Sequence, residues 1–236
     1  MPVLLMRLAG PLQSWGSSSR FARRSTDPEP TKSGVIGLLA AARGVARDAP
    51  LEEFAGLRFG VRTDQPGRML EDFQTTRTLD GESLPLSRRF YLSDAVFLAG
   101  VESDDGKQLA SYRDALAAPQ FPLFLGRRSC PPDGPIQAWI VEAGLEDALH
   151  DAGWQAGEVY RQRHKRTPQA LPISCDAPAG SHGIPAESKR DVPLSFDPRG
   201  RRYARRSVVA LPSRVVAVGP TAEHDPTTIF DEDDLL

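Results

Sequence analysis

The run Val3-Leu4-Leu5-Met6-Arg7-Leu8 is apolar at all but one position and is closed by Ala9-Gly10-Pro11, which predicts a buried first strand followed by a turn. Residues 16–30 are rich in Ser, Arg and Pro and read as loop. Thr31-Lys32-Ser33-Gly34 then opens an apolar stretch from Val35 to Val45 with the length and the Ala and Leu content of a helix. Thr31 or Ser33 is a suitable N-cap, because a hydroxyl there can accept from an unpaired backbone amide. Leu57 to Thr63 and Asp72 to Thr78 read as the next strands, with Asp64-Gln65-Pro66-Gly67 as the turn between them. Asp80-Gly81 marks a second tight turn, and Tyr91 to Val101 is the clearest isolated strand. Lys107 to Ala118 carries Leu109, Tyr112 and Leu116 at helical spacing and is ended by Pro119 and Pro122. Ile136 to Glu142 predicts a strand containing Trp139. Val208 to Val218 predicts one or two more, broken at Leu211-Pro212. Between them, Gln155 to Arg202 is rich in Pro, Gly and Arg with little periodicity and reads as long loops with a hairpin at most.

The resulting order is strand, helix, two strands, then strand, helix, strand and a late strand. This predicts an α+β protein: one antiparallel sheet with two helices on a face, the ferredoxin-like or RRM-like arrangement. The helices are too few for a doubly wound parallel sheet. Glu71 to Leu92 reads as a protruding hairpin. It carries Arg77, Arg88 and Arg89, with Leu84-Pro85-Leu86 near its tip, a composition unsuited to a buried hairpin. Residues 1–222 are expected to form one domain with a loop-rich basic insertion at about 155–206, and residues 223–236 an acidic, disordered tail.

Composition narrows the class. The 236 residues are 40% hydrophobic and 25% charged, with 21 prolines and 20 glycines, ordinary for a globular protein that is rich in loops. No apolar run approaches the ~20 residues that cross a bilayer, and Met1 to Leu8 is too short for a signal peptide. Membrane partners are therefore not expected. Cys130 and Cys175 stand alone, without CxxC spacing, which favours a reducing cytoplasm and leaves a single disulfide open. The net charge of -2 hides a segregation: Glu223, Asp225, Asp231, Glu232, Asp233 and Asp234 fall in the last fourteen residues with no Lys or Arg, leaving the body net positive. Residues 7–47 hold seven Lys or Arg against Asp27 and Glu29, and residues 158–206 hold eleven against five acids. Clusters of this kind point to a local anionic partner.

Enzymatic signatures are absent. Gly34-Val35-Ile36-Gly37 is not a GxxxxGK[ST] loop, and there is no HExxH, GxSxG or EF-hand loop. Neither a metal nor a cofactor is expected. Metal-independent RNA cleavage needs a general base and acid beside the scissile phosphate, yet His150, His164, His182 and His224 all fall outside the glycine-punctuated blocks.

Those blocks suit nucleic acid. In Leu125-Gly126-Arg127-Arg128-Ser129-Cys130-Pro131, Arg127 and Arg128 can fork onto phosphates, Ser129 can add a hydroxyl donor, and Gly126 leaves the backbone open to approach. Lys32 and Ser33 lie where a helix begins, and a helix N-terminus attracts anions through free amides and its dipole. Gln13 supplies an amide, and Trp15 an indole that can stack on a base. Two phosphate-ready loops without a DNA recognition helix favour single-stranded or folded RNA.

The same blocks resemble the CasD family of the type I-E Cascade CRISPR surveillance complex. Leu8-Ala9-Gly10-Pro11-Leu12-Gln13-Ser14-Trp15-Gly16 is similar to the family's N-terminal signature, Thr31 to Leu39 to its second, and Leu125 to Pro131 to its third. Arg202 to Val208 is loosely similar to a late segment, and residues 155–190 and the acidic tail depart from the pattern. The resemblance implies a non-catalytic subunit that caps the 5′ handle of the crRNA. It further implies an RRM-like palm holding the handle and a thumb hairpin reaching toward the neighbouring backbone subunit. The large subunit is a further expected partner, and target DNA is met only through the complex. Relatives in another CRISPR subtype cut precursor RNA, so a metal-independent endoribonuclease is the alternative.

Overall fold

The computed structural model describes residues 1–16, 23–75, 77–83, 85–178 and 185–216. Its elements are, in order, β1 (Pro2–Ala9), β2 (Leu12–Gln13), β3 (Arg23–Arg24), α1 (Lys32–Arg43), a 3-10 turn (Glu52–Phe54), β4 (Arg58–Gln65), β5 (Arg68–Gln74) and β6 (Ser87–Ser93). They continue with β7 (Val96–Glu102), α2 (Gly106–Ala117), β8 (Ala138–Glu142), α3 (Leu145–Asp151), α4 (Glu158–Arg163), β9 (Gln169–Asp176), β10 (Glu187–Ser195) and β11 (Arg202–Val216). The expectation of an α+β chain built on a large antiparallel sheet with few helices holds at this level. Seven strands run in the order β10-β11-β9-β4-β7-β1-β8, and every neighbouring pair is antiparallel.

α1 begins where the Thr31 side chain accepts from the Gly34 amide, and it ends at Gly44 in the left-handed region. Its apolar stripe, Val35, Ile36, Leu38 and Leu39, is buried. α2 is capped by Asp105, which accepts from the amides of Lys107 and Gln108, and it buries Leu109, Tyr112 and Leu116. Both helices cover one face of the sheet, in the main core with Leu4, Met6, Leu8 and Phe97. The opposite face carries a smaller core of Val3, Leu5, Leu98 and Ile173 under Leu145, Ala148 and Leu149 of α3. The expected two helices are thus joined by two short ones.

The second sheet centres on β6. β5 pairs along one edge of it, antiparallel, while β2 and β3 pair in succession along the other. β5 and β6 form a hairpin across the region expected to protrude, and it exposes Met69, Leu70, Phe73, Leu79 and Leu86. The single strand expected over Tyr91 to Val101 is in fact two. Asp94 takes a positive φ of 54°, a backbone reversal that carries the chain from one sheet to the other.

The largest departure lies at 155–206. Instead of a loop-rich insertion it supplies α4, β9, β10 and the start of β11. Prolines hide these strands from a reading based on composition. β9 alternates cleanly, with Leu171, Ile173 and Cys175 buried and Pro172 between them. The β9–β4 ladder stops at Ile173, and the β9–β11 register shifts between Leu211 and Arg214. Pro172 and Pro212 both fall at that irregularity, where no ladder amide is needed. β11 therefore runs on through Pro212 as one strand. The expected acidic tail, 223–236, lies outside the described residues.

Candidate nucleic-acid interface

The bends at 31–34 and 125–131 open onto one groove of about 890 Å3. Its floor is α1, through Ser33, Gly34, Gly37, Leu38 and Ala41, with Val45 to Arg47 beyond the helix end. One wall is Ser14 to Gly16 with Arg24 and Ser25, a second is Phe121, Pro122, Phe124 and Gly126 to Arg128, and a third is Phe196, Arg201 and Tyr203. The lining holds five arginines and five aromatic rings but no Asp, Glu, Lys or His. Arg24, Arg47, Arg128 and Arg201 are exposed and have no ion-pair partner among the described residues.

Two glycines let the walls meet. A Cβ on Gly34 would stand 2.7 Å from the Trp15 ring, so the helix start passes directly over the indole. Gly126 has φ +84, and a Cβ there would lie 2.0 Å from the Ser14 carbonyl oxygen. The contact is locked by the Ser14 amide donating to the Leu125 carbonyl at 3.1 Å.

Several side chains expected to face RNA instead hold this groove together. Trp15 is inaccessible: its indole N–H donates to Gln13 Oε1 at 3.0 Å. Gln13 in turn donates to the carbonyls of Leu8 and Ala95. Both belong to the core because each polar atom finds an internal partner. Lys32 is 7% exposed; its ammonium donates to Asp176 Oδ2 at 2.8 Å and to the Leu57 carbonyl at 2.6 Å. Its amide, the first of α1, donates to Asp191 Oδ2 at 2.8 Å. The helix N-terminus thus already has an anion, supplied by the protein itself.

Arg206 completes this network. It donates from Nε and Nη2 to Asp191 and from Nη1 to Asp176 at 2.6 Å, and its guanidinium lies 5.1 Å from the Phe59 ring centre. Burial pushes the Asp191 carboxyl up, but the hydrogen bonds and charge of Arg206, with the Lys32 amide, outweigh it and hold the group below the usual carboxylate range. A depressed folded-state pKa stabilises above the unfolded value of about 3.9 and is lost as pH falls through the folded one. The stability gap between wild type and Asp191→Asn, measured by urea melts, should be widest above about pH 5 and narrow below about pH 4.

Arg127 is also structural. It donates to the carbonyls of Phe90 at 3.1 Å, Arg24 at 2.6 Å and Ser25 at 3.3 Å, and it covers the Tyr91 ring at 4.9 Å. It clamps the 125–131 turn to β3 and β6. The Gly126 amide turns inward onto the Phe124 carbonyl and is not left for a ligand. Arg128 and Ser129 are exposed, and Ser33 lines the groove.

The hairpin arginines differ from one another. Arg77 is exposed beside its bridge partner Ser83. Arg88 is paired with Glu71 and sits about equally far from the rings of Phe73 and Phe90. Arg89 Nε is buried without a hydrogen-bond partner among the described residues. Sequence reasoning missed Arg24, Arg47, Phe196, Arg201 and Tyr203 as individuals, though the two basic clusters at 7–47 and 158–206 contain all three arginines.

Of the histidines, His150 is exposed beside Asp151 and His164 stacks on Tyr160; neither lines the groove. His182 and His224 lie outside the described residues. Among the described residues no three His, Cys, Asp or Glu side chains are grouped to hold a metal.

A family model described as CRISPR-associated protein (Cas_Cas5) matches residues 3–209. Over 180 residues the chain is 32% identical to the CRISPR system Cascade subunit CasD of Escherichia coli (strain K12), covering 67% of this chain and 80% of that protein. A chain of a solved CRISPR RNA-guided surveillance complex superposes with a TM-score of 0.69 at 32% identity, over 96% of this chain and 98% of that one. A solved Cas protein superposes with the same TM-score at 36% identity, over 93% and 100%. With most of its length matched by the family model, the chain belongs to this CRISPR-associated protein family.

Proposed function

We propose that the protein is a non-catalytic RNA-binding subunit of a type I-E Cascade complex, holding the 5′ handle of the crRNA in the arginine-lined groove. The observation that carries this reading is the lining itself, with four exposed arginines beside aromatic rings and hydroxyls and no carboxylate to repel phosphate. Forked guanidiniums bind phosphate and ring faces receive unpaired bases. The kinship with CasD, a Cascade subunit, supports the assignment. In this reading β8-β1-β7-β4 with α1 and α2 is a ferredoxin-like, RRM-like palm. The β5–β6 hairpin is the thumb, with Arg77, Arg88 and Arg89 beside the RNA and its exposed apolar residues against the adjacent backbone subunit. The large subunit is a further partner of the chain, target DNA is met through the complex, and assembly takes place in the cytoplasm.

Reversing charge in the Arg128→Glu/Arg201→Glu variant is expected to weaken handle RNA binding by at least tenfold. It should also reduce the salt slope by about 1.4, roughly 0.7 for each phosphate contact on a single strand. Filter binding across a salt series reads both, and an unchanged slope rejects the groove as the handle site. The enzyme alternative is tested separately by incubating the purified chain with a repeat-containing transcript in EDTA. The transcript should remain intact, since none of the described histidines reaches the groove to act as base or acid; specific cleavage overturns the non-catalytic assignment.

A further inference from the structure

α4 is a helix with no buried residue. It hangs from the end of β4, where the Trp154 indole donates to the Asp64 carbonyl at 2.9 Å and the Gly157 amide donates to Gln65 Oε1 at 3.1 Å. A helix without a buried face draws no stability from a core, which leaves its charged side chains available to a ligand. Arg161, Arg163, Lys165 and Arg166 fall within six residues on α4 and the turn that follows, all exposed. None has an ion-pair partner among the described residues, and the nearest acid in sequence is Glu158. Such crowding of like charge is self-repulsive until an anion neutralises it.

A second feature sits beside the cations. Tyr160 and His164 stack at 4.0 Å with an interplanar angle of 29°, and Trp154 meets Tyr160 edge-on at 6.2 Å. The stack is held by His164 Nδ1 against the Tyr160 carbonyl at 2.8 Å. Cations alone fit any acidic surface. Cations flanking a ladder of partly exposed rings fit a single strand, whose phosphates alternate with faces that stack. None of these residues lines the groove.

From this juxtaposition we infer that α4 and residues 164–166 form a second nucleic-acid site, which takes single-stranded DNA or RNA through phosphate contacts and ring stacking, without base-edge readout. This goes beyond handle binding, because it requires a strand, or a part of one, other than that in the groove. The test uses fluorescence anisotropy of labelled dT20 and U20 with the full chain carrying Arg128→Glu/Arg201→Glu, so that the groove's contribution is reduced. Adding Arg161→Gln, Arg163→Gln, Lys165→Gln and Arg166→Gln should weaken binding at least tenfold at low salt and reduce the salt slope by about 2.8, four contacts at roughly 0.7 each. Tyr160→Leu should weaken binding several-fold and leave the slope unchanged, which separates stacking from charge. Loss on either oligonucleotide assigns that strand to the patch. Unchanged affinity for both overturns the inference. Thermal melts should be unchanged, since no core residue is altered. Handle RNA binding by the quadruple variant in the wild-type groove background is read independently, so failure here leaves the groove assignment standing.

Discussion

Replacing Arg62 with alanine is expected to lower the unfolding free energy by about 3–5 kcal/mol, the range for breaking a buried ion pair on one side. Arg62 and Asp64 are both completely buried. The guanidinium donates from Nε and Nη2 to the two carboxylate oxygens at 2.6 and 2.8 Å. Its remaining donors reach the carbonyls of Leu149, Ala152 and Gly153 at 2.6–2.8 Å, where the last turn of α3 leaves acceptors unpaired. Alanine strands the Asp64 charge and those acceptors together. For a chain of this size the loss corresponds to a drop in Tm of roughly 6–20 °C, measurable by circular dichroism. Arg62→Met with Asp64→Leu should recover part of it, because a buried pair replaced by apolar side chains removes the stranded charge. Equal destabilisation of the single and double variants would show that the carbonyl contacts, not the ion pair, carry the effect.

Gly126→Ala is expected to have the largest effect on the groove. A side chain at φ +84 is strained, and its Cβ would stand 2.0 Å from the Ser14 carbonyl oxygen and 2.8 Å from the Ser14 carbonyl carbon. That neighbour is backbone and cannot move aside by changing rotamer. Backbone strain and overpacking together amount to about 2–6 kcal/mol. Relief requires the turn to separate from Ser14, which breaks the Ser14 to Leu125 hydrogen bond and shifts the Arg127 clamp. Arg128 then leaves the groove wall, so handle RNA affinity should fall at least tenfold even where the variant remains folded. Ser129→Ala, on the same turn but with a hydroxyl whose neighbour is Cys130 Sγ at 3.9 Å, should leave stability unchanged. Normal RNA affinity in a folded Gly126→Ala protein would remove this turn from the binding surface.

The parts of the fold that were legible are those where one periodicity runs uninterrupted. β1, α1, α2 and β8 each carry a single pattern bounded by Gly, Pro or a capping side chain. β9, β10 and the first residues of β11 escape a reading from composition because Pro172 and Pro193 read as breakers. The strand expected from Val208 is the rest of β11, its continuity hidden by Pro212, which sits opposite Pro172 at an irregularity in the ladder. For the site, the meeting of 31–34 with 125–131 was readable from glycine-marked bends. Which side chains face the ligand was not. Lys32 looks free until Asp176 arrives from 144 positions away, and Arg127 looks free until the carbonyl of Arg24 arrives from 103. A polar residue declares its type in the sequence but not its partner, and burial is decided by partners distant along the chain. Conversely, Arg201 and Tyr203 sit in a segment that seemed structureless. The β10–β11 turn carries them to α1, where Phe196 lies 3.6 Å from the position a Cβ on Gly37 would take.

The strand order also sets when this grip can exist during synthesis. β10 is made before β11 yet joins the sheet only through it, because β11 lies between β10 and β9. A nascent chain emerging at about 5–20 residues per second can therefore assemble β1 to β9 while β10 still waits for a neighbour. The wall bearing Phe196, Arg201 and Tyr203 closes last, so a groove with all three walls exists only once β11 has been made.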